Sequence, residues 1–258
     1  MLFADATTIY LQGHDLHQLQ ETFNTELAHV NEWIKSNKLT LNLTKTSYML
    51  THTLLNHPLA INLHINNSPI KRVMEFKFLG VWFDSSLKWN THIDNIKNLV
   101  SKFIGVIYRI RNTLDNENIK LIYNSLVYPH LTYCSAIWGG AYHTSINSLF
   151  ITQKKLIRVM FHGQRYDHTN PYFSEHKILT VPHSIHLQTI LFVYNSIKNL
   201  PANADSVLLS GAAATRRPYT LRLPLCRTSH AQQSVLVRGA RQWNLLPDQL
   251  KLATSKHT

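Results

Sequence analysis

One carboxylate with chemical promise stands near the start of the chain, in "FADATTIYL" at residues 3–11. Asp5 lies on a strand-like alternation between Ala4 and Ala6. Two readings fit it. One is a solvent-facing strand or turn aspartate. The other is a ligand for a hard divalent cation at a strand bend, where methyl-sized neighbours leave room for a substrate backbone. The broader signal is cationic: 26 Lys and Arg against 14 Asp and Glu give 258 residues a formal charge of +12. That balance favours a polyanionic partner, nucleic acid first and an acidic membrane surface second.

Fifteen of the 26 cations fall in three regions. Lys88, Lys97, Lys102, Arg109, Arg111 and Lys120 form the first; Lys154, Lys155 and Arg158 form the second. The third holds Arg216, Arg217, Arg222, Arg227, Arg238 and Arg241 in a stretch without an acidic residue between Asp205 and Asp248. Tyr219 and Trp243 interleave with these arginines, placed to stack on unpaired bases. One such cluster alone reads as a solvated helix face. Three together point to non-specific, steeply salt-dependent nucleic-acid binding.

Other chemistries find less support. The 16 histidines include His14/His17 and His183/His186 at helix-face spacing, but neither pair has a suitable third ligand, so no zinc site is expected. Cys134 and Cys226 are far apart and form no CxxC, which argues against a disulfide framework and fits a reducing compartment. Asp5 interrupts the first apolar stretch, so no signal peptide is read there, and the apolar runs are too short for a membrane span. A nuclear or cytosolic protein with no membrane partner is the expectation.

The elements that must position these residues follow from periodicity. Leu2–Leu11 reads as two short strands or one bent strand. Asp15, with Gln18 three residues on, has a capping-box arrangement ahead of an amphipathic helix over 16–36. In "KLTLNLTKTSYML" the alternation of Leu39, Leu41 and Leu43 predicts a strand. Ile61, Leu63 and Ile65 precede Asn-Asn-Ser-Pro, the mark of a hairpin, and "EFKFLGVWF" predicts another strand. The sum is a mixed sheet with one helix on a face. Beyond Trp89 the period turns helical: Ile93–Ile110, a helix through Ile119, Ile122 and Leu126 stopping before Pro129, then Ile146–Met160 and Ile185–Ile197. The fold class is therefore α+β, strands first and helices after. The composition shift near residue 85 and the loose "SGAAATRRPYT" after Pro201 divide the chain into 1–85, 86–200 and 201–258.

Several boxes occur in an order with a known parallel. "LFADATTIYL" resembles the Phe/Tyr-Ala-Asp-Asp box of reverse transcriptases from jockey-like non-LTR (LINE-type) retrotransposons, with Asp5 at the first aspartate and Ala6 at the second. "WIKSNKLTLNLTKTSYML" resembles the next motif through Asn42, Lys45 and Thr46; the resemblance gives Lys45 the protonation of leaving pyrophosphate, where residue type alone leaves it an exposed strand-end lysine. "EFKFLGVWFDSSLKWNTHI" resembles the primer grip through Phe78, Leu79, Gly80, Asp84, Leu87, Trp89, His92 and Ile93, although by residue type Phe78 and Leu79 read first as core and only second as contacts. "LVYPHLTYCSAIWGG" resembles the thumb through Pro129, Tyr133, Trp138 and Gly139, and "RGARQWNLLP" resembles the end of these reading frames.

The resemblance implies a partial reverse-transcriptase palm over 1–85, a helical thumb and connection over 86–200 and a basic tail over 201–258. It implies RNA and DNA as primer–template partners, dNTP as substrate and Mg2+ as cofactor in the intact family. Two-metal phosphoryl transfer needs several converging carboxylates, and this chain presents Asp5 beside Ala6. The expectation is a truncated RNA-directed DNA polymerase, cut at or just before its catalytic hairpin and inactive alone. A non-specific nucleic-acid-binding remnant and a non-functional element fragment with an aggregation-prone sheet edge are the alternatives.

Overall fold

A computed structural model describes residues 2–3, 6–51, 61–198 and 220–251. The chain forms two compact units: Met1–Phe78 with Asp84–Ser86, and Leu79–Phe83 with Leu87–Thr258.

In the first unit, the Asp15 carboxylate accepts from the His17 amide at 2.9 Å, so α1 begins there and runs Leu16–Ser36. This satisfies one of the donors that a helix start leaves orphaned. Its apolar side, with Leu27 buried, packs with Ile61, Leu63 and Ile65. Those residues alternate with exposed Asn62 and His64, the period-two pattern of a half-buried strand. Strand β4 (His64–Ile65) turns through Asn66 and Asn67, at φ +51° and +61°, into β5 (Ser68–Pro69). Asparagine tolerates that left-handed geometry, and hairpin turns demand it.

Polar residues of α1 hold the other side of this segment. Gln20 Oε1 accepts from Asn62 N at 2.8 Å, Asn24 Oδ1 accepts from His64 N at 3.0 Å, and Asn24 Nδ2 donates to Asn62 O at 3.1 Å. Farther along the helix, Asn31 and Asn66 exchange two side-chain bonds of 2.6 and 3.1 Å. The helix thus supplies amides where a neighbouring strand would otherwise sit.

The expected mixed sheet is replaced by short separate ladders. Strands β1 (Leu2–Phe3) and β2 (Ala6–Thr7) pair antiparallel, and β3 (Ser47–Tyr48) pairs parallel with β6 (Lys71–Arg72). The predicted strand over the Leu39–Leu41–Leu43 alternation does not form. Lys38 is left-handed at φ +57°, and the Asn42 side chain accepts from Thr44 N at 3.1 Å and Lys45 N at 3.2 Å. A side chain that bonds its own backbone takes the groups a ladder would need. Leu39 and Leu43 end exposed. Strands β7 (Glu75–Phe78) and β8 (Val81–Asp84) precede the helices.

The second unit is helical. Helix α2 (Asn90–Ile110) packs along α6 (His143–Met160), burying Ile93, Ile96, Val100 and Ile107 against a core that includes Leu149, Leu156 and Ile157. The two run parallel: Ser145 Oγ donates to Asn90 Oδ1 at 2.8 Å at their starts, and Arg111 Nη1 donates to Val159 O at 3.2 Å at their ends. Parallel helices bring the negative ends of their dipoles together, and Arg111 offsets them there. Helix α3 (Asn116–Leu126), capped by Asp115, gives way to α4 (Tyr128–Thr132), with proline in its first turn. Short α5 (Ser135–Trp138) and α7 (Asn170–Glu175) flank α6, and α8 (Val181–Lys198) packs on α5 and α6. Beyond come α9 (Ser229–Gln233), α10 (Val235–Asn244) and α11 (Asp248–Lys251).

At the centre, the side chain of fully buried Gln153 ties three elements. Nε2 donates to Tyr123 Oη and Leu179 O, each at 2.9 Å, and Oε1 accepts from Val181 N at 2.8 Å, capping α8.

Burial pushes the Tyr123 phenol up from 10.0 to about 12, opposed by the Gln153 bond and assisted by Tyr128. The folded state therefore holds this proton more tightly than the unfolded chain. The resulting stabilisation is complete below pH 10 and is lost as pH rises towards 12. Across that window the wild type should lose roughly 2–3 kcal/mol relative to Tyr123→Phe, as read from urea midpoints. Tyr123→Phe should lack this step. Arg238 works in the opposite sense, its guanidinium held down to about 10 by burial, so the variant is what isolates the phenol.

Candidate nucleic-acid interface

Asp5, Arg216 and Arg217, with Tyr219, lie outside the described residues. Lys45 is exposed on the turn that Asn42 builds. Asn42 O also accepts from Thr46 N at 3.1 Å and Thr46 Oγ1 at 2.9 Å, so the Asn-x-x-Lys-Thr spacing is that of a self-capped turn presenting its lysine outward.

Phe78 is half-buried, its ring tilted on Phe76 at 6.3 Å between centroids. Leu79 and Gly80 follow at φ +45° and +84° on a tight turn, and both are exposed. Leu79, expected first as a core residue, is at 42% exposure a surface residue instead, because it sits on the tip of the turn. Tyr133 Oη donates to Leu79 O at 2.8 Å, and the Tyr133 ring lies 3.4 Å from where a Gly80 Cβ would stand. The adjacent Cys134, above all, raises the Tyr133 phenol above its usual range. After β8, Trp89 sits left-handed at φ +66°, edge-on to Phe83 at 5.1 Å, and α2 begins at the next residue.

The cations divide by environment. Lys102 and Arg109 are exposed one heptad apart on α2, a helix with Asp94 as its one acid. Lys155 is exposed on α6, which has no acidic residue at all. Arg222 is exposed ahead of α9. Lys97 is half-buried and bridged to Asp94 at 3.1 Å; Lys88 is half-buried too. Others are committed to the fold. Arg111 stacks on Tyr108 at 4.6 Å as well as bonding Val159, Arg158 Nε donates to Asp167 O at 3.0 Å, and Lys154 lies over the Phe150 ring at 4.3 Å.

Trp243 is not available to stack on bases. It is 3% exposed, packed with Val193, Tyr194, Leu221 and Ala240. Its spacing from Leu236 and Ala240, seven and three residues back, is a helix-face pattern that marks it as core. In the same motif Asn244 brackets Leu221 N and O at 2.8 Å each, and a Cβ on Gly239 would stand 2.6 Å from Val193 Cγ2. Arg238 Nη2 donates to Ala136 O, joining "RGARQWNLLP" to "SAIWGG" across 102 residues. These two motifs act in architecture.

Among the described residues no three His, Cys, Asp or Glu converge as metal ligands. At residue 6 the chain offers a methyl group, which coordinates nothing. The described residues do not form a paired-cation centre. No described helix is long and apolar enough to cross a membrane.

Two curated proteins are similar in sequence. The RNA-directed DNA polymerase from mobile element jockey of Drosophila funebris is 25% identical over 160 residues, covering 60% of this chain and 17% of that protein. The probable RNA-directed DNA polymerase from transposon X-element of Drosophila melanogaster is 22% identical over 161 residues, covering 61% of this chain and 18% of that protein. The chain thus spans less than a fifth of the length of the relatives it matches. No protein-family model matches, and no solved structure matches significantly.

Proposed function

We propose, from its kinship with the RNA-directed DNA polymerases of jockey-type non-LTR retrotransposons, that this chain is a nucleic-acid-gripping part of a reverse-transcriptase-related protein and does not polymerise by itself. The observation that carries the reading is the sequence match over three-fifths of the chain. The exposed Leu79–Gly80 turn and the exposed Lys102, Arg109 and Lys155 support it. They suit a protein that meets phosphates without reading bases. Residues 1–85 correspond in this reading to palm, 86–200 to thumb and connection, and 201–258 to a basic tail; RNA and DNA are the partners, in nucleus or cytoplasm. Mg2+ belongs to the intact family's chemistry. In this polypeptide Ala6 removes one of the carboxylates on which that chemistry depends.

The test has two arms. Binding to a labelled duplex, measured against salt, should show a steep negative slope. Changing Lys102, Arg109 and Lys155 together to Gln should shrink that slope by about 0.9 for each phosphate the variant no longer neutralises. A flat salt response would refute the reading. Primer extension by the isolated chain should not exceed that of Asp5→Ala, and template-dependent incorporation above that control would refute the claim of inactivity.

A further inference from the structure

The turn at Leu79–Gly80 is carried by the helical unit, and the side chains that hold it there form a closed circuit. Tyr133 Oη donates to Leu79 O at 2.8 Å. Tyr133 O in turn accepts from Trp138 Nε1 at 2.8 Å, fixing the backbone that bears the phenol. The fully buried Trp138 ring meets His92 edge-on at 5.6 Å. His92 Nδ1 accepts from Trp82 N at 3.4 Å, two residues beyond Gly80 on β8. The circuit therefore leaves the turn on one side and returns to it on the other, through α5 and α2.

Packing alone does not require this arrangement. Tyr133 is 52% exposed, so its ring adds little to the core, yet its hydroxyl is spent on a carbonyl at a solvent-facing turn. Leu79 is an L-residue held at φ +45°, a conformation that persists where surroundings over-determine it. Gly80, at φ +84°, lets the turn lie against the Tyr133 ring edge.

We infer that Tyr133, backed by Trp138 and His92, is a positioning residue that fixes the Leu79–Gly80 turn for contact with the end of a primer strand. The inference rests on the proposed reading of that turn as a nucleic-acid contact. Tyr133→Phe removes the hydroxyl and leaves every formal charge in place. In the full chain, amide exchange at buried Val81 and at Trp82, whose N–H the circuit holds, should accelerate roughly tenfold, the loss of one hydrogen bond, while Val100 and Ile107 stay unchanged. With synthetic DNA duplexes of equal length, the wild type should prefer a recessed 3′ end over a blunt end. The variant should lose that preference and keep its affinity for blunt DNA and its melting temperature.

Exchange at the turn that does not change overturns the inference, and so does a variant that keeps the preference. A wild-type chain without any end preference overturns instead the reading of the turn as a primer contact, and the role assigned to Tyr133 with it.

Discussion

Gln153→Leu should cost the helical unit about 4 kcal/mol, more than any other conservative-volume change in its core. The substitution keeps the shape of the site and strips three buried partners at once: Tyr123 Oη, Leu179 O and Val181 N. Leaving a buried polar group unpaired costs about 1–3 kcal/mol each, whereas the bond itself contributes about 1. Tyr123→Phe, which breaks one of the three and leaves a single Gln153 Nε2 hydrogen unpaired while the bonds to Leu179 O and from Val181 N persist, should cost about 1–2 kcal/mol by the same reasoning. Urea unfolding followed by the fluorescence of buried Trp89, Trp138 and Trp243 would measure both. Equal losses in the two variants would mean that Gln153 is not the junction of α3, α6 and α8.

The same chemical change should have opposite signs at two glycines. At Gly139 an added methyl would stand 2.3 Å from Ile185 Cγ2 and 2.4 Å from Ser135 O. That carbonyl cannot retreat freely, because it accepts the Gly139 amide at 2.9 Å. Gly139→Ala should therefore destabilise by about 3 kcal/mol, at the upper end of overpacking. Adding Ile185→Ala should recover only part, since the clash with backbone remains. Gly105, on the solvent side of α2, has nothing within 4 Å of a new Cβ. There alanine should stabilise by about 0.5–1 kcal/mol, through helix propensity and a less disordered unfolded chain. Thermal melts of the two single variants decide it; a shift of the same sign in both would contradict the packing of α5 on α8.

Helices are legible where an apolar stripe and a cap agree. The pattern of Leu16, Leu19, Phe23, Leu27, Val30 and Ile34 after Asp15 gives 16–36, and α1 has those bounds. Strands are legible only where the alternation is free of self-bonding side chains. Ile61, Leu63 and Ile65 are buried as their spacing requires, whereas the equally regular Leu39, Leu41 and Leu43 flank Asn42, whose side chain claims the local amides. A period-two pattern cannot reveal that competition. In the candidate interface, counting cations locates basic helices but does not separate Lys102 and Arg109 in water from Arg111 and Arg158 bonded to carbonyls. Trp243 misleads because an aromatic among arginines is weighed by its neighbours in sequence, when its helical face decides where it goes. Gln153 leaves one trace in the sequence: a lone amide within the apolar stripe of Ile146, Leu149, Leu156 and Met160.

The amides that α1 lends to residues 62 and 64 bear on how this protein behaves when concentrated. An uncovered margin of extended chain recruits its like from other molecules, which is how many fibrils begin. Here Gln20 and Asn24 already occupy those main-chain groups, and the β5 hairpin takes the opposite side. A stranger's backbone finds three of the four main-chain groups of residues 62 and 64 already taken, so this segment is a poor seed for fibre growth.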